Sequence, residues 1–233
     1  RLVEEARARG VDVTIDQYPY TASMTGTAAL FPQWAQEGGR KALIERLSAP
    51  DQRAKIKAVI VRNIKEDRGG GDPKNVVVAA CPFDESLAGK NLAELTVARG
   101  VPATLENAAE TAIEIQSKGG CQAVYHAIGE EDVERILRYP FTMIASDGGI
   151  PVFGKEAPHP RYYGTFARVL GRYVRERKTL TLEDAVRRMS SLPATRLKLW
   201  DRGLLRPGML ADLVVFDPAT IADKAEFAKP HQY

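Results

Sequence analysis

The chain has 233 residues, 44% hydrophobic and 27% charged, which is ample for a packed core and ordinary for a water-facing protein. Its formal net charge is only +3 with the basic residues scattered, so composition argues against a nucleic-acid surface, and no apolar run approaches the ~18 residues of a membrane span. No signal peptide opens the chain, and Cys81 and Cys121 share no metal-ligand spacing; they read as buried, reduced thiols of a cytoplasmic protein.

Residues 1–9, RLVEEARAR, have helical periodicity and stop at Gly10, a helix terminator. The chain opens inside this helix without a starting Met, which predicts a further portion upstream. Residues 11–16 alternate apolar and polar side chains in a β-branched context and read as a strand. Its exit carries Asp16, Gln17, Tyr18 and Tyr20. At the mouth of a barrel the two phenols could orient a carbonyl or contact an acyl chain; rim packing with wet hydroxyls accounts for them equally well.

Residues 31–67 form a polar, helical connection. PQWAQEGG is a short helical piece ending at two glycines, and RKALIERL and DQRAKIKAVIVRNIKED are amphipathic helices split by Pro50. Gly69-Gly70-Gly71-Asp72-Pro73 is a turn and not a phosphate loop, because no Lys-Ser or Lys-Thr pair follows it. Residues 76–81, VVVAAC, are a continuous apolar run of the kind found in buried parallel strands.

Roughly sixty residues separate that run from the next strand, more than the about two to six usual on each side of a barrel helix. They contain helical stretches at 91–99, 104–118 and 130–138 and a strand-like piece at 123–128. These features predict an inserted subdomain at about residues 84–126. His126, alone in an alternating strand, reads as a hydrogen-bonded structural side chain.

Residues 142–161, TMIASDGGIPVFGKEAPHPR, carry the strongest chemical signal. A β-rich run ends at Ser146-Asp147-Gly148-Gly149, so a buried strand delivers one carboxylate at its C-terminal end. Asp-Gly is also the commonest turn signal, and a plain strand-ending turn fits the dipeptide. The segment Pro158-His159-Pro160-Arg161 adds an imidazole and a guanidinium on a stiff, proline-braced backbone suited to holding an anion. A periodic helix at 163–178, a capping-box-like start at 181–184 and short helices at 182–189 and 192–197 follow. Residues 211–218, ADLVVFDP, read as a strand ended by a turn, and His231 lies in a ragged terminal segment with no assigned role.

The strings IASDGG, APHPRYYGTFARVLGRYVRE, LTLEDAVRRMSSLPATRLKL and GLLRPGMLADLVVFDP, with DVTIDQYPY near the start, together resemble the C-terminal half of an N-acyl-D-amino-acid deacylase (D-aminoacylase) of the amidohydrolase superfamily. The resemblance covers nearly the whole chain. It implies an α/β fold: the C-terminal portion of a metal-dependent TIM (β/α) barrel at residues 1–200 with a helical insertion, and part of a small β-sandwich at 201–233.

The same resemblance implies a hydrolase that splits the linear amide of an N-acyl-D-amino acid into a carboxylate and a free D-amino acid. Zn²⁺ is the implied cofactor, since it lowers the pKa of a bound water from about 15.7 to about 7. Asp147 matches the catalytic acid/base and one metal ligand, and Arg161 the clamp for the substrate carboxylate, with His159, Tyr18 and Tyr20 as further substrate-binding residues. Members of the family draw zinc ligands from an HxH on the first strand, an early Cys and later His residues. No HxH exists here, which leaves two accounts, a metal centre whose main ligands lie upstream or a subgroup with a different ligand set; the first is the expectation, and with it that this polypeptide alone is inactive.

The expected partners are a small-molecule N-acyl amino acid and the N-terminal part of the same polypeptide, with no nucleic acid and no membrane. Two alternatives stand beside this expectation. One is a cyclic-amide hydrolase of the dihydroorotase or hydantoinase type, and the other is a non-catalytic, barrel-derived binding module.

Overall fold

A computed structural model describes residues Arg1–Tyr233. Its first helix, α1 (Leu2–Ala8), turns at Gly10, whose φ of +83° is a left-handed conformation open to glycine at no steric cost. Strand β1 (Ile15–Gln17) follows and pairs in parallel with the last strand, β5 (Thr142–Ile144), with Ile15 opposite Thr142 and Gln17 opposite Ile144. A parallel pair cannot be closed by a hairpin. Here the chain between its two strands folds as a unit around a sheet of its own.

That second sheet contains β2 (Ser23–Gly26), β3 (Val76–Ala80) and β4 (Gln122–Tyr125) in the order β2-β4-β3, with both pairings antiparallel. The apolar run VVVAAC is therefore not a parallel strand. Its unbroken apolarity has another cause: Val76 and Val78 face a helical core, whereas Val77 and Ala79 pack on the opposite face with Ala22, Val124 and Phe227. Continuous apolarity reports burial on both faces and says nothing about strand direction.

The helical cover comprises α2 (Gln33–Gln36), α3 (Gly39–Ser48), α4 (Pro50–Asn63), α5 (Leu92–Ala98) and α6 (Leu105–Ser117). Pro50 occupies the first position of α4, where its missing N–H costs no hydrogen bond. Asn91 caps α5 in a reciprocal box with Glu94, each side chain accepting from the other's backbone N–H. Ile56, Ile60 and Ile64, spaced four apart on one face, are completely buried against Ala108, Ala112 and Ile113 of α6. This is the larger core, with 21 buried residues against 8 in the core around β5.

Cys81 and Cys121 are not free thiols. The register that sets Ala80 opposite Gln122 carries the two cysteines side by side, and they form a disulfide across a sequence separation of 40. Strand pairing, invisible in the spacing, creates the contact, and the cysteine argument for a cytoplasmic location falls with it. No helix is long and apolar enough to cross a membrane.

After β4 come α7 (Glu130–Leu137), β5, α8 (Arg161–Arg168) continuing as a π-helical turn Val169–Glu176, α9 (Leu182–Met189) and α10 (Ser191–Arg196). Val133, Leu137, Ile144, Val169, Tyr173 and Ala185 close around β5. Arg188 of α9 is buried; its Nε donates to Asp184 at 2.6 Å and its Nη1 to the Thr142 carbonyl at 3.2 Å, which ties the helix to the strand.

Residues 211–216 do not form the expected strand. No other segment pairs with them, and Val214 and Val215 stand 84% and 98% exposed; β-branched propensity alone does not make a strand without a neighbour. The chain then returns across α8 and the π-helical turn. A Cβ on Gly164 would sit 2.7 Å from Asp223 Cβ, and one on Gly171 would sit 2.8 Å from the Ile221 carbonyl oxygen. Gly164→Ala in the full-length protein is expected to destabilise it by about 1–3 kcal/mol, the usual cost of overpacking, read as a lower denaturant midpoint. An unchanged midpoint would mean that the tail simply moves aside.

Candidate active site

The carboxylate predicted at the end of the buried strand is where the sequence puts it, three residues past β5. Ala145 N–H still donates to the Gln17 carbonyl at 3.0 Å, extending the parallel ladder, and the chain breaks at Asp147 with φ +46°. A non-glycine residue in that region costs on the order of 1 kcal/mol and needs support from its surroundings. Part of that support is an ion pair: an Asp147 carboxylate oxygen lies 2.8 Å from Arg161 Nη2.

The two partners differ in environment. The Asp147 side chain is 67% exposed and that of Arg161 only 5%. Arg161 Nη2 also reaches the Met24 carbonyl at 3.5 Å, and its guanidinium carbon lies 4.7 Å from the centre of the Tyr18 ring. Its Nε and Nη1 are buried without any hydrogen-bond partner. Buried donors are rarely left unpaired, so this guanidinium is suited to an anion.

His159 sets the start of α8. It is completely buried; its Nδ1 accepts the Arg161 backbone N–H at 3.0 Å and its Nε2 donates to the Ala22 carbonyl at 3.0 Å. These partners assign the neutral Nε2–H tautomer. Desolvation pushes its pKa from 6.5 down to about 3, with the nearby Arg161 charge acting in the same direction. Both nitrogens are engaged by backbone, so His159 braces the Arg161 turn and has no free atom for a ligand.

Tyr20 is likewise an inner brace. It is 1% exposed, donates its hydroxyl to the Pro160 carbonyl at 3.4 Å and packs edge-on against His159 at 5.0 Å, while the Arg168 guanidinium lies 4.7 Å over its ring. Burial raises its pKa, and the Asp223 carboxylate adds to the rise. Tyr18 is more open; burial raises its pKa and Arg161 opposes that rise. Asp16, Gln17, Tyr18, Tyr20, Ile128 and Asp147 line a cleft of about 440 Å³. Gln17 is turned away in part, donating Nε2 to the Val133 carbonyl at 3.3 Å.

Of the sequence-derived candidates, Asp147, Tyr18 and Tyr20 line the cleft, Arg161 joins it through Asp147 and the Tyr18 ring, and His159 stands behind them. His126 has a packing role without the expected side-chain hydrogen bond: its backbone N–H donates to the Asn75 carbonyl at 2.9 Å, its ring packs on Phe227 at 4.6 Å, and burial lowers its pKa. The sequence concealed the contributions of Phe227, of the Ala22 and Met24 carbonyls and of the Arg168–Asp223 ion pair at 2.8 Å. None of them has a local motif.

The amidohydrolase family matches residues 142–232, the stretch that carries Asp147, His159 and Arg161. Over 229 residues the chain is 37% identical to the D-aminoacylase of Alcaligenes xylosoxydans xylosoxydans, with 98% of this chain and 37% of that protein aligned. The crystal structure of an N-acyl-D-glutamate deacylase from Bordetella bronchiseptica, complexed with zinc and a phosphonate mimic of the tetrahedral intermediate, superposes with a TM-score of 0.72 at 32% identity. It covers 99% of this chain and 38% of that one. The chain belongs to the N-acyl-D-amino-acid deacylase family of amidohydrolases.

This deacylase-family chain spans 37% of the length of the curated D-aminoacylase it matches. A second solved relative, a D-aminoacylase with a binuclear metal centre, shows one-metal activation and second-metal attenuation; it superposes at TM-score 0.70 and 33% identity, over 99% of this chain and 38% of that one. The residues present here do not by themselves compose a zinc site. No three His, Cys, Asp or Glu side chains converge in a metal-holding cluster. The two cysteines are joined to each other, and His159 has both nitrogens occupied. Asp16 and Asp147 are the carboxylates at the cleft, and Asp147 is the one beside Arg161.

Because the folded state holds His159 neutral, His159 contributes a pH dependence of known sign. Its pKa is depressed on folding, so the unfolded chain binds more protons below about pH 6.5, and stability is lost as pH falls from there toward about 3. His159→Gln keeps a donor and an acceptor without a titrating site. In the full-length protein it is expected to flatten the fall of the urea midpoint between these limits; a slope identical to wild type would place the acid lability elsewhere.

Proposed function

We propose that this chain is the C-terminal part of a zinc-dependent amidohydrolase that cleaves N-acyl-D-amino acids to a carboxylate and a free D-amino acid. The observation that carries the proposal is the buried Arg161, with two unpaired N–H donors, in ion-pair contact with a carboxylate at the end of a buried parallel strand. A guanidinium in that state suits a free α-carboxylate, and the Asp147 oxygens beside it suit proton transfer. The names of the aligned relatives support the N-acyl-D-amino acid class and the zinc.

In this proposal residues 1–200 are part of a (β/α) barrel, with β1 and β5 as neighbouring strands and Asp147 at their C-terminal ends, where barrel active sites lie. The insertion is wider than residues 84–126 and takes in β2 and β3 as well, since both belong to the antiparallel sheet of β4. Residues 201–233 contribute to a small β-sandwich completed by other parts of the polypeptide, for which the exposed apolar side chains of 197–215 are available.

The substrate carboxylate pairs with the Arg161 guanidinium through one of its free donors and so fixes the amide over the cleft. Tyr18 flanks it from the β1 side. Zn²⁺, when bound by ligands that lie mainly outside this chain, supplies an activated water near neutral pH. Asp147 accepts the proton that the attacking water loses and returns it to the departing nitrogen, so that the amide leaves as a neutral amine. A hydantoin without a free carboxylate would leave the Arg161 donors unpaired, which disfavours a hydantoinase-type substrate; dihydroorotate carries a carboxylate of its own and is separated by the assay.

Metal content and hydrolysis of N-acetyl-D-methionine, its L-enantiomer and dihydroorotate by the full-length protein form the test. Bound zinc with turnover of the D-acyl substrate alone is the expected result. A metal-free protein, or turnover confined to the cyclic amide, would overturn the proposal.

A further inference from the structure

The segment after the last helix, expected to be ragged, is stitched onto the loop that joins Asp147 to Arg161. Phe227 closes one side of His159 at 4.9 Å and also touches Tyr20 at 6.2 Å and His126 at 4.6 Å. His231 Nδ1 accepts the Tyr163 hydroxyl at 2.8 Å, and its Nε2–H donates to the Glu156 carbonyl at 3.3 Å, a pairing that spans the first turn of α8 and the loop. Tyr233 stacks on Phe153 with centroids 5.7 Å apart and planes 9° from parallel, and meets Tyr163 edge-on at 5.2 Å.

Without these contacts the loop has little to hold it. Ile150, Val152 and Phe153 are exposed, and Glu156 sits at φ +63°. The nearest independent anchor is a hydrogen bond from Ala157 N–H to the Ala79 carbonyl at 2.8 Å, on β3. Upstream of the Phe227 and His231 contacts, Arg168 holds Asp223 at 2.8 Å and donates to the Pro19 carbonyl at 2.8 Å, and Arg175 donates to the Ile221 carbonyl at 2.6 Å. The tail is thus fastened before it reaches the loop, and it can transmit that fixation to it.

We propose that residues 221–233 are a strap, and that Phe227 and His231 are positioning residues for Arg161, acting through the His159 ring and through the Tyr163–His231–Glu156 bridge. The proposal rests on the deacylase reading for what Arg161 binds, and goes beyond it in giving the C-terminal tail a part in substrate capture. The contacts fall between residues 153 and 163, nearer to Arg161 than to Asp147. Loosening them therefore weakens carboxylate binding more than proton transfer.

The test uses the full-length protein with His231→Ala, His231→Gln, Tyr163→Phe and Phe227→Leu. Each is read by trypsin cleavage after the exposed Lys155 and by kcat and KM for N-acetyl-D-methionine, with Kd for the same compound on metal-stripped protein. The expected result for His231→Ala and Phe227→Leu is cleavage about 10-fold faster and KM and Kd raised about 10-fold, with kcat within about 3-fold, the signature of a clamp displaced by a fraction of an ångström. His231→Gln, which retains a donor and an acceptor, recovers most of the loss, and Tyr163→Phe with His231→Ala is no worse than His231→Ala alone. Unchanged KM and Kd, whether or not Lys155 is cut faster, overturn the proposal, as does a loss confined to kcat or to folded yield. A wild type that neither binds nor hydrolyses the D-acyl compound overturns the deacylase reading and the proposal with it; that outcome is visible before any variant is made.

Discussion

Arg161→Ala in the full-length protein is expected to raise KM for an N-acyl-D-amino acid by about 30- to 4,000-fold, the 2–5 kcal/mol usual for truncating one partner of a buried, hydrogen-bonded charge pair. The reason is geometric. Arg161 is held in place by a backbone bond to His159, by the Tyr18 face and by Met24, and yet keeps Nε and Nη1 unpaired. A site built around a buried guanidinium with unpaired donors discriminates strongly against a ligand that cannot fill them.

Arg161→Lys is expected to recover little, because an ammonium cannot present two parallel donors from that position. The decisive comparison is a substrate whose α-carboxylate has been converted to a primary amide. Wild type should lose most of its affinity for that compound, whereas Arg161→Ala should treat acid and amide alike. Equal losses on acid and amide would show that Arg161 supports the fold and does not read the carboxylate.

The sequence exposed this pair because both halves sit in local motifs. Asp147 follows a short β-rich run, and Arg161 follows two prolines that restrict the backbone on either side of His159. What brings them together was also partly legible, since a strand end and the start of the next helix are neighbours in any parallel α/β arrangement. The roles of His159 and Tyr20 were not. Each is a polar side chain next to a functional one, and only the Ala22 and Pro160 carbonyls show that their polar atoms are already engaged.

The errors elsewhere share a physical origin. A hydrophobic run states that a segment is buried, and the run at 76–81 is buried; its partner, direction and sheet are properties of a register set by residues 122–125. The same register made a disulfide of two cysteines that the sequence sets far apart. Conversely, residues 211–216 carry the composition of a strand but have no neighbour to pair with in this chain. The tail residues Phe227 and His231 are the extreme case. Their contacts reach residues 68 to 75 positions away for His231, and no periodicity encodes them.

Asp147→Asn is expected to lower kcat by about 10²–10⁴, the range attributed to a positioned general acid/base, with KM changed by only a few-fold. The substitution is nearly isosteric, and Asn adopts the left-handed backbone region at least as readily as Asp, so the φ of +46° is no obstacle. It removes the charge that faces Arg161 Nη2 but leaves Nε and Nη1 as they are. Asp147→Gly separates the two explanations of the Asp-Gly pair. If Asp147 were only the first residue of a strand-ending turn, glycine and asparagine would both be harmless there, and glycine would relieve the strained backbone and raise the unfolding free energy by up to about 1 kcal/mol, read as a higher denaturant midpoint. If Asp147 moves the proton, both variants lose turnover together while the fold holds or tightens. A pair of stable, active variants would leave Asp147 with a turn and nothing more.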